Sequence, residues 1–187
     1  MAATLRPAMP EDADLLAQVI DLAGEGLPAA LWAGMAGPEG DPMAVGRARA
    51  RRDQGAFSWR NATVAELDGR PVGAIVTYPI GPAPEPPGPD TPPVIAQLMA
   101  LEALAPETRY VNAVAVVGPA RRMGVARALM DSVPPGPRGT SLIVTDTNTG
   151  ARAFYARLGF AETARRPVHP GPWRTEACDW LLLIRPA

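Results

Sequence analysis

Lysine is absent from this 187-residue chain, and all 18 basic residues are arginine. Chemistry that needs a lysine amine, such as a Schiff base or a P-loop phosphate site, is excluded. A GC-rich coding bias is the simplest account of the absence. Cysteine and histidine occur once each, as Cys178 and His169. That rules out an internal disulfide framework and a Cys/His zinc centre, so no metal is expected and the expected compartment is the cytoplasm. Long apolar runs are also missing. The longest near the C-terminus, Trp180 to Ile184, has five residues, against about 20 for a membrane span. The opening segment MAATLRPAMPED lacks an apolar stretch and reaches an acid by Glu11, which argues against a secretory signal. Charge of either sign is not in excess. Eighteen basic against 19 acidic residues give a net of −1, without the basic field of a nucleic-acid binder.

What remains is the composition of a globular protein, 47% hydrophobic and 20% charged, long enough to bury about 70% of its extended surface. Periodicity predicts an extended Thr4–Pro7, then a helix opened by Pro10, Glu11 and Asp12 and closed by Gly24 and Gly26. Further helical stretches cover 27–35 and 42–54, and the arginines between Arg47 and Arg52 read as a solvated helix face. Residues 61–68 alternate as a strand, and Asp68-Gly69 is a hairpin signal into a strand over 70–78. Pro79 to Pro93 holds eight prolines in fifteen residues, a surface loop rather than regular structure. A helix follows over 93–104. Arg109 to Val117 is a near-continuous apolar run, typical of a strand buried on both faces. Next come a helix over 123–133, a strand over 141–145, a helix over 150–158 and two closing extended segments, 161–168 and 177–185. The pattern predicts one domain, 1–187, with the proline-rich loop and its helix inserted at about 79–104. Its fold class is α/β of the α+β type, a mixed sheet with helices on both faces.

Two stretches carry chemistry. After the buried strand, Gly118-Pro119 turn into Arg121-Arg122-Met123-Gly124-Val125-Ala126 at the start of a helix. Unpaired backbone N–H groups and the helix dipole there suit a phosphate without any lysine, and small residues at 124 and 126 let the anion approach. Downstream, Asn148 to Phe160 reads N-x-x-A-x-x-F-Y-x-x-x-G-F. Ala151, Phe154, Tyr155 and Leu158 share one helical face. On periodicity alone Tyr155 is a core residue.

As a pair, separated by a buried strand, the two stretches resemble the GNAT (Gcn5-related) N-acetyltransferase superfamily, and the order of elements from Leu5 to Ile184 suits it. The resemblance implies a GNAT fold: a mixed, mostly antiparallel central sheet with helices on both faces and a parallel strand pair, 109–117 and 141–145, that splays to admit acetyl-CoA. It implies that pantetheine pairs with the backbone of Val114, Ala115 and Val116. The pyrophosphate rests on Arg121, Arg122, Met123, Gly124, Val125 and Ala126, with Asn148, Ala151 and Tyr155 also against the cofactor. Tyr155 corresponds to the family's general acid, and a backbone N–H near Val116 suits the oxyanion.

One departure stands out. Many relatives carry a carboxylate on the central strand, at positions that here hold Asn112 and Tyr110. Proton removal from the amine is therefore expected to pass through solvent, with Glu102, Glu107 or water ordered by Asn112 as lesser substitutes. His169 reads as a surface residue and Cys178 as a buried small hydrophobe. The acceptor site maps to residues 27–35, the proline-rich loop with its helix and the region of Trp173, with Trp32, Met35, Glu102, Tyr110 and Asn112 as candidate lining residues, although core packing explains Trp32, Met35 and Tyr110 as well. The expected activity is acetyl-CoA-dependent transfer to a primary amine of a small molecule, by a monomer or homodimer, without nucleic-acid or membrane partners. The alternatives are a catalytically silent CoA-binding regulatory module, and an acyltransferase with a longer acyl donor or a peptide N-terminus as acceptor.

Overall fold

A computed structural model describes residues 3–169 and 171–187. Met1, Ala2 and Pro170 lie outside the described residues. The elements run β1 (Thr4–Pro7), α1 (Ala13–Ala23), α2 (Leu27–Ala36), α3 (Pro42–Ala50), β2 (Ala62–Leu67), β3 (Arg70–Pro79), α4 (Pro93–Glu102), β4 (Arg109–Val116), α5 (Val125–Asp131), β5 (Thr140–Thr145), α6 (Thr149–Arg157), β6 (Ala161–Pro167) and β7 (Asp179–Arg185). Short 3-10 turns precede α1, β2 and α5. The seven strands follow the order β1-β2-β3-β4-β5-β7-β6. The sheet is mostly antiparallel with one parallel pair, β4 and β5, in register from Arg109–Thr140 to Val111–Leu142. The mixed α/β class expected from the element order is what the chain adopts.

The chain divides into two compact units, each assembled from separate segments. One comprises residues 1–77 and 112–133, the other 78–111 and 134–187. In the first, Leu16, Val19 and Ile20 of α1, Trp32 of α2, Val64 of β2 and Ala74 and Val76 of β3 form a single apolar cluster. Helix α3 starts on Asp41, whose carboxylate accepts from the Met43 N–H at 2.8 Å, with Pro42 at the first position, where its missing N–H costs nothing. The β2–β3 hairpin closes on Asp68 and Gly69, both at positive φ (50° and 71°), as a type I′ turn requires.

Trp32 is 1% exposed. A Cβ on Gly46 of α3 would stand 2.5 to 2.8 Å from three atoms of its ring. The expected acceptor wall at Trp32 gives way to a packing role, because the indole is enclosed by its own core. Gly46→Ala should therefore destabilise. Overpacking costs about 1–3 kcal/mol, against roughly 1 kcal/mol gained in helix propensity. A lower midpoint in thermal denaturation checks this; a higher one would show that the ring shifts freely.

Arg6 of β1 grips Asp12 with both terminal nitrogens, at 2.7 and 2.8 Å, and Glu66 of β2 through Nε at 2.7 Å. The Asp12 side chain is 7% exposed. Its hydrogen bonds from Arg6, aided by the Met9 N–H, hold its carboxyl below the ordinary range. A lowered pKa contributes stability that is present above the ordinary carboxylate range and lost as pH falls through the folded value. Arg6→Ala strands a nearly buried carboxylate, so it should lower the melting temperature at pH 7 more than Glu66→Gln does. The gap should close toward pH 3, as followed by circular dichroism.

β4 changes its facing along its length. The Arg109 N–H bonds Gly139 beside β5, whereas the Val117 N–H bonds Val72 of β3.

Two predicted boundaries move. The helix over 123–133 starts only at Val125, since Arg122 (φ 65°) and Gly124 (φ 81°) are left-handed. The stretch over 42–54 ends at Ala50, and of its arginines Arg51 and Arg52 are exposed while Arg47 and Arg49 are half-buried. Cys178, read as buried, is exposed. It lies just before β7, outside the strand whose apolar residues fill the core.

Candidate functional site

In the second unit two tyrosines, Tyr78 and Tyr110, meet one carboxylate, and the third, Tyr155, lies near Tyr110. Pro92 and Pro93 end the proline-rich loop and start α4, and Val94 and Leu101 anchor that helix, at 2% and 0% exposed. Its last residue is Glu102. Tyr78, at the end of β3, donates its hydroxyl to Glu102 Oε2 at 3.2 Å. Tyr110 of β4 is buried and also hydrogen-bonds this carboxylate. The Tyr78 and Tyr110 rings lie 5.3 Å apart, centroid to centroid, tilted by 44°. Tyr155 of α6 stands close enough to Tyr110 to act on its hydroxyl electrostatically.

Burial sets the protonation of each group. It pushes the Glu102 carboxyl up to about 7, even though the bonds from Tyr78 and Tyr110 favour the charged form. Burial also raises the Tyr78 hydroxyl, helped by the Glu102 charge, and raises Tyr110 far above an ordinary phenol. Tyr155 is pushed up to about 12 by burial. At neutral pH the three phenols keep their protons while the carboxyl sits near its midpoint.

Local sequence explains where Tyr155 stands. Asn148 caps α6, its Oδ1 accepting from the Ala151 N–H at 3.1 Å. At the other end Gly159 is left-handed (φ 85°). The Gly159 N–H bonds Ala156 and the Phe160 N–H bonds Tyr155, a Schellman closure. The Tyr155 ring is flanked by Phe154 at 5.4 Å and Phe160 at 5.8 Å. Half of the spacing noticed in the sequence thus builds the helix ends, and the tyrosine is what they position.

In the first unit, β4 passes through Val114, Ala115 and Val116 into the loop of Gly118 to Gly124. A Cβ on Gly73 would meet Ala115 O at 2.7 Å, so β3 and β4 approach closely there. Arg121 folds back, its Nε donating to Val116 O at 3.0 Å. Left-handed Arg122 and Gly124 (φ 65° and 81°) turn the loop sharply just before α5. Arg121, Arg122, Met123 and Gly124 are exposed, and a Cβ at Gly124 would meet nothing within 4 Å. The residues present fit a pyrophosphate held by backbone. Asn112 is half-buried, and its buried Nδ2 lacks a hydrogen-bond partner.

The exposure of the other expected residues varies. Glu107 is exposed at a left-handed turn (φ 62°). His169 is exposed as expected. Met35 is 55% exposed, whereas Trp173 is 4% exposed and stacked on Trp180 at 5.4 Å. Tyr78 escaped the sequence reading. Its signal is slender: a phenol near the end of a strand whose centre, Val72 to Val76, is small and branched apolar residues.

The fold is shared with acetyltransferases of known structure. An N-acetyltransferase from Staphylococcus aureus Mu50 is 16% identical, with TM-score 0.68 over 97% of this chain and 100% of that one. Another acetyltransferase is 18% identical, with TM-score 0.65 over 98% of each chain. A chain of the NatC complex, crystallised with Gag peptide and CoA, is 16% identical, with TM-score 0.53 over 100% of this chain and 99% of that one. The chain belongs to the acetyltransferase (GNAT) family, whose sequence model matches residues 35–160. No curated protein matches the sequence.

Proposed function

We propose that this protein moves the acetyl group of acetyl-CoA directly to a primary amine of a small molecule, with enzyme, donor and acceptor in one ternary complex. The observation that carries the reading is Tyr155, a phenol kept protonated by burial on a helix closed at both ends. Amine attack on the thioester forms the C–N bond and a tetrahedral oxyanion, which the Val116 N–H suits. Collapse breaks the C–S bond and leaves a thiolate, to which Tyr155 gives its proton. A phenol near 12 is a weak acid toward a thiolate whose thiol titrates near 8.5. The transfer runs downhill because the nitrogen, on becoming an amide, returns its own proton to the phenolate.

Val114, Ala115 and Val116 present backbone to pantetheine in this reading. Arg121, Arg122, Met123, Gly124, Val125 and Ala126 receive the pyrophosphate, and Asn148 and Ala151 flank the cofactor. The proline-rich segment and α4 favour an acceptor small enough to be enclosed by the protein itself. Acetyl-CoA supply makes the cytoplasm its compartment. Among the described residues no helix is long and apolar enough to cross a membrane.

Competition of acceptors tests the reading. Small primary amines should give higher kcat/KM than peptides with free N-termini, and acetyl-CoA should outperform longer acyl-CoA donors. A preference for peptides or for long acyl chains would overturn the acceptor or the donor assignment.

A further inference from the structure

We propose that Glu102, carried on the helix after the proline-rich loop and held by the hydroxyls of Tyr78 and Tyr110, is the general base that takes the proton from the acceptor amine. The inference rests on the acetyltransferase reading and deepens it. It also replaces the solvent route suggested by the lack of a carboxylate on β4.

The placement of Glu102 is poor for stability. It ends α4, where the helix dipole is negative and disfavours a second negative charge. Burial is the largest influence on its carboxyl, and the groups facing it are Tyr78 from β3 and Tyr110 from β4, both neutral donors. Glu102 is half-buried, and a carboxylate taken from water usually has a cation; among the described residues no ion pair is formed by Glu102, although eight involve other side chains. The two phenols donate to it and pull its pKa down only in part, so burial still leaves the carboxyl raised. A carboxyl near 7 is matched to proton transfer at neutral pH. Tyr110 adjoins both Glu102 and Tyr155, so base and acid share a neighbour. Tyr110 and Tyr78 are positioning residues.

Protons balance over the cycle. The ammonium gives one proton to the Glu102 carboxylate, which releases it to solvent. The second, freed as nitrogen becomes an amide, restores the Tyr155 hydroxyl after the thiolate has taken its proton. One net proton leaves per acetyl transferred.

The test uses the full chain, acetyl-CoA and a panel of small primary alkylamines, which are ammonium ions near neutral pH. With these acceptors kcat/KM should rise through an acid limb near pH 7, and Glu102→Gln should cost about 10²- to 10⁴-fold and remove that limb. Tyr78→Phe removes a bond that favours the charged carboxylate, so the limb should move to higher pH. The raised pKa means that stability falls as pH rises from the ordinary carboxylate range to about 7, and the whole loss is in place at pH 8, so Glu102→Gln should melt no lower than wild type there. A limb and rate unchanged in Glu102→Gln would overturn the proposal. Carboxyl carbon-13 NMR decides independently of any acceptor: one titration near pH 7 should vanish in Glu102→Gln, and only ordinary glutamate titrations would sink the claim. Absence of CoA binding in calorimetry would instead strike at the acetyltransferase reading itself.

Discussion

Tyr155→Phe should lower turnover by about 10²- to 10⁴-fold, the usual contribution of a general acid, with CoA affinity unchanged. The substitution deletes one oxygen and leaves the ring, which keeps its neighbours Phe154 and Phe160. The caps of α6 rest on Asn148 and Gly159 and are untouched. Without the hydroxyl the thiolate must leave unprotonated or take its proton from water. The loss should therefore fall on kcat and grow smaller with donors whose thiols are more acidic. Steady-state kinetics on an amine from the panel, beside calorimetry with CoA, separates the two effects. A mutant with full turnover would make Tyr155 a packing residue.

Gly124→Glu should weaken CoA binding by about tenfold or more, a change of roughly 1.4 kcal/mol or above. Two causes add. Gly124 sits at φ 81°, where a side chain strains the loop, and the new carboxylate stands in the open space that fits the phosphates. Gly124→Ala carries the strain without the charge, so the difference between the two variants reports the electrostatic part. That difference should shrink with added salt, because exposed charges are screened. Equal affinities for Gly124→Glu and wild type, with both folded, would move the pyrophosphate elsewhere.

Much of this architecture is written in local sequence. The Asp68-Gly69 turn, the apolar run from Arg109 and the N-x-x-A-x-x-F-Y-x-x-x-G-F spacing each act within a few residues, so periodicity and turn chemistry expose them. The start of α5 at Val125 is less legible, because left-handed Arg122 and Gly124 exclude a helix before it and only the glycine signals that in the sequence. The Glu102 cluster lies beyond such reasoning. Tyr78 and Glu102 are 24 residues apart across the proline-rich loop, and only the packing of α4 in its unit brings them together. A carboxylate at a helix end reads as a surface group until its burial is known. Trp32 and Cys178 show the same limit in both directions. The side chain proposed for a ligand wall is core, and the one assigned to the core is exposed. Residue type predicts burial on average, whereas function depends on the individual case.

The most direct test of the central claim is release of free thiol from acetyl-CoA by the intact chain, measured with a panel of small primary amines and matched to the mass of the product. The account predicts thiol released in step with an amine heavier by one acetyl group, dependent on both substrates and lost in Tyr155→Phe. Tight CoA binding with no acetylated amine and no thiol release across the panel would contradict it, and would make the protein a CoA-binding module without transferase activity.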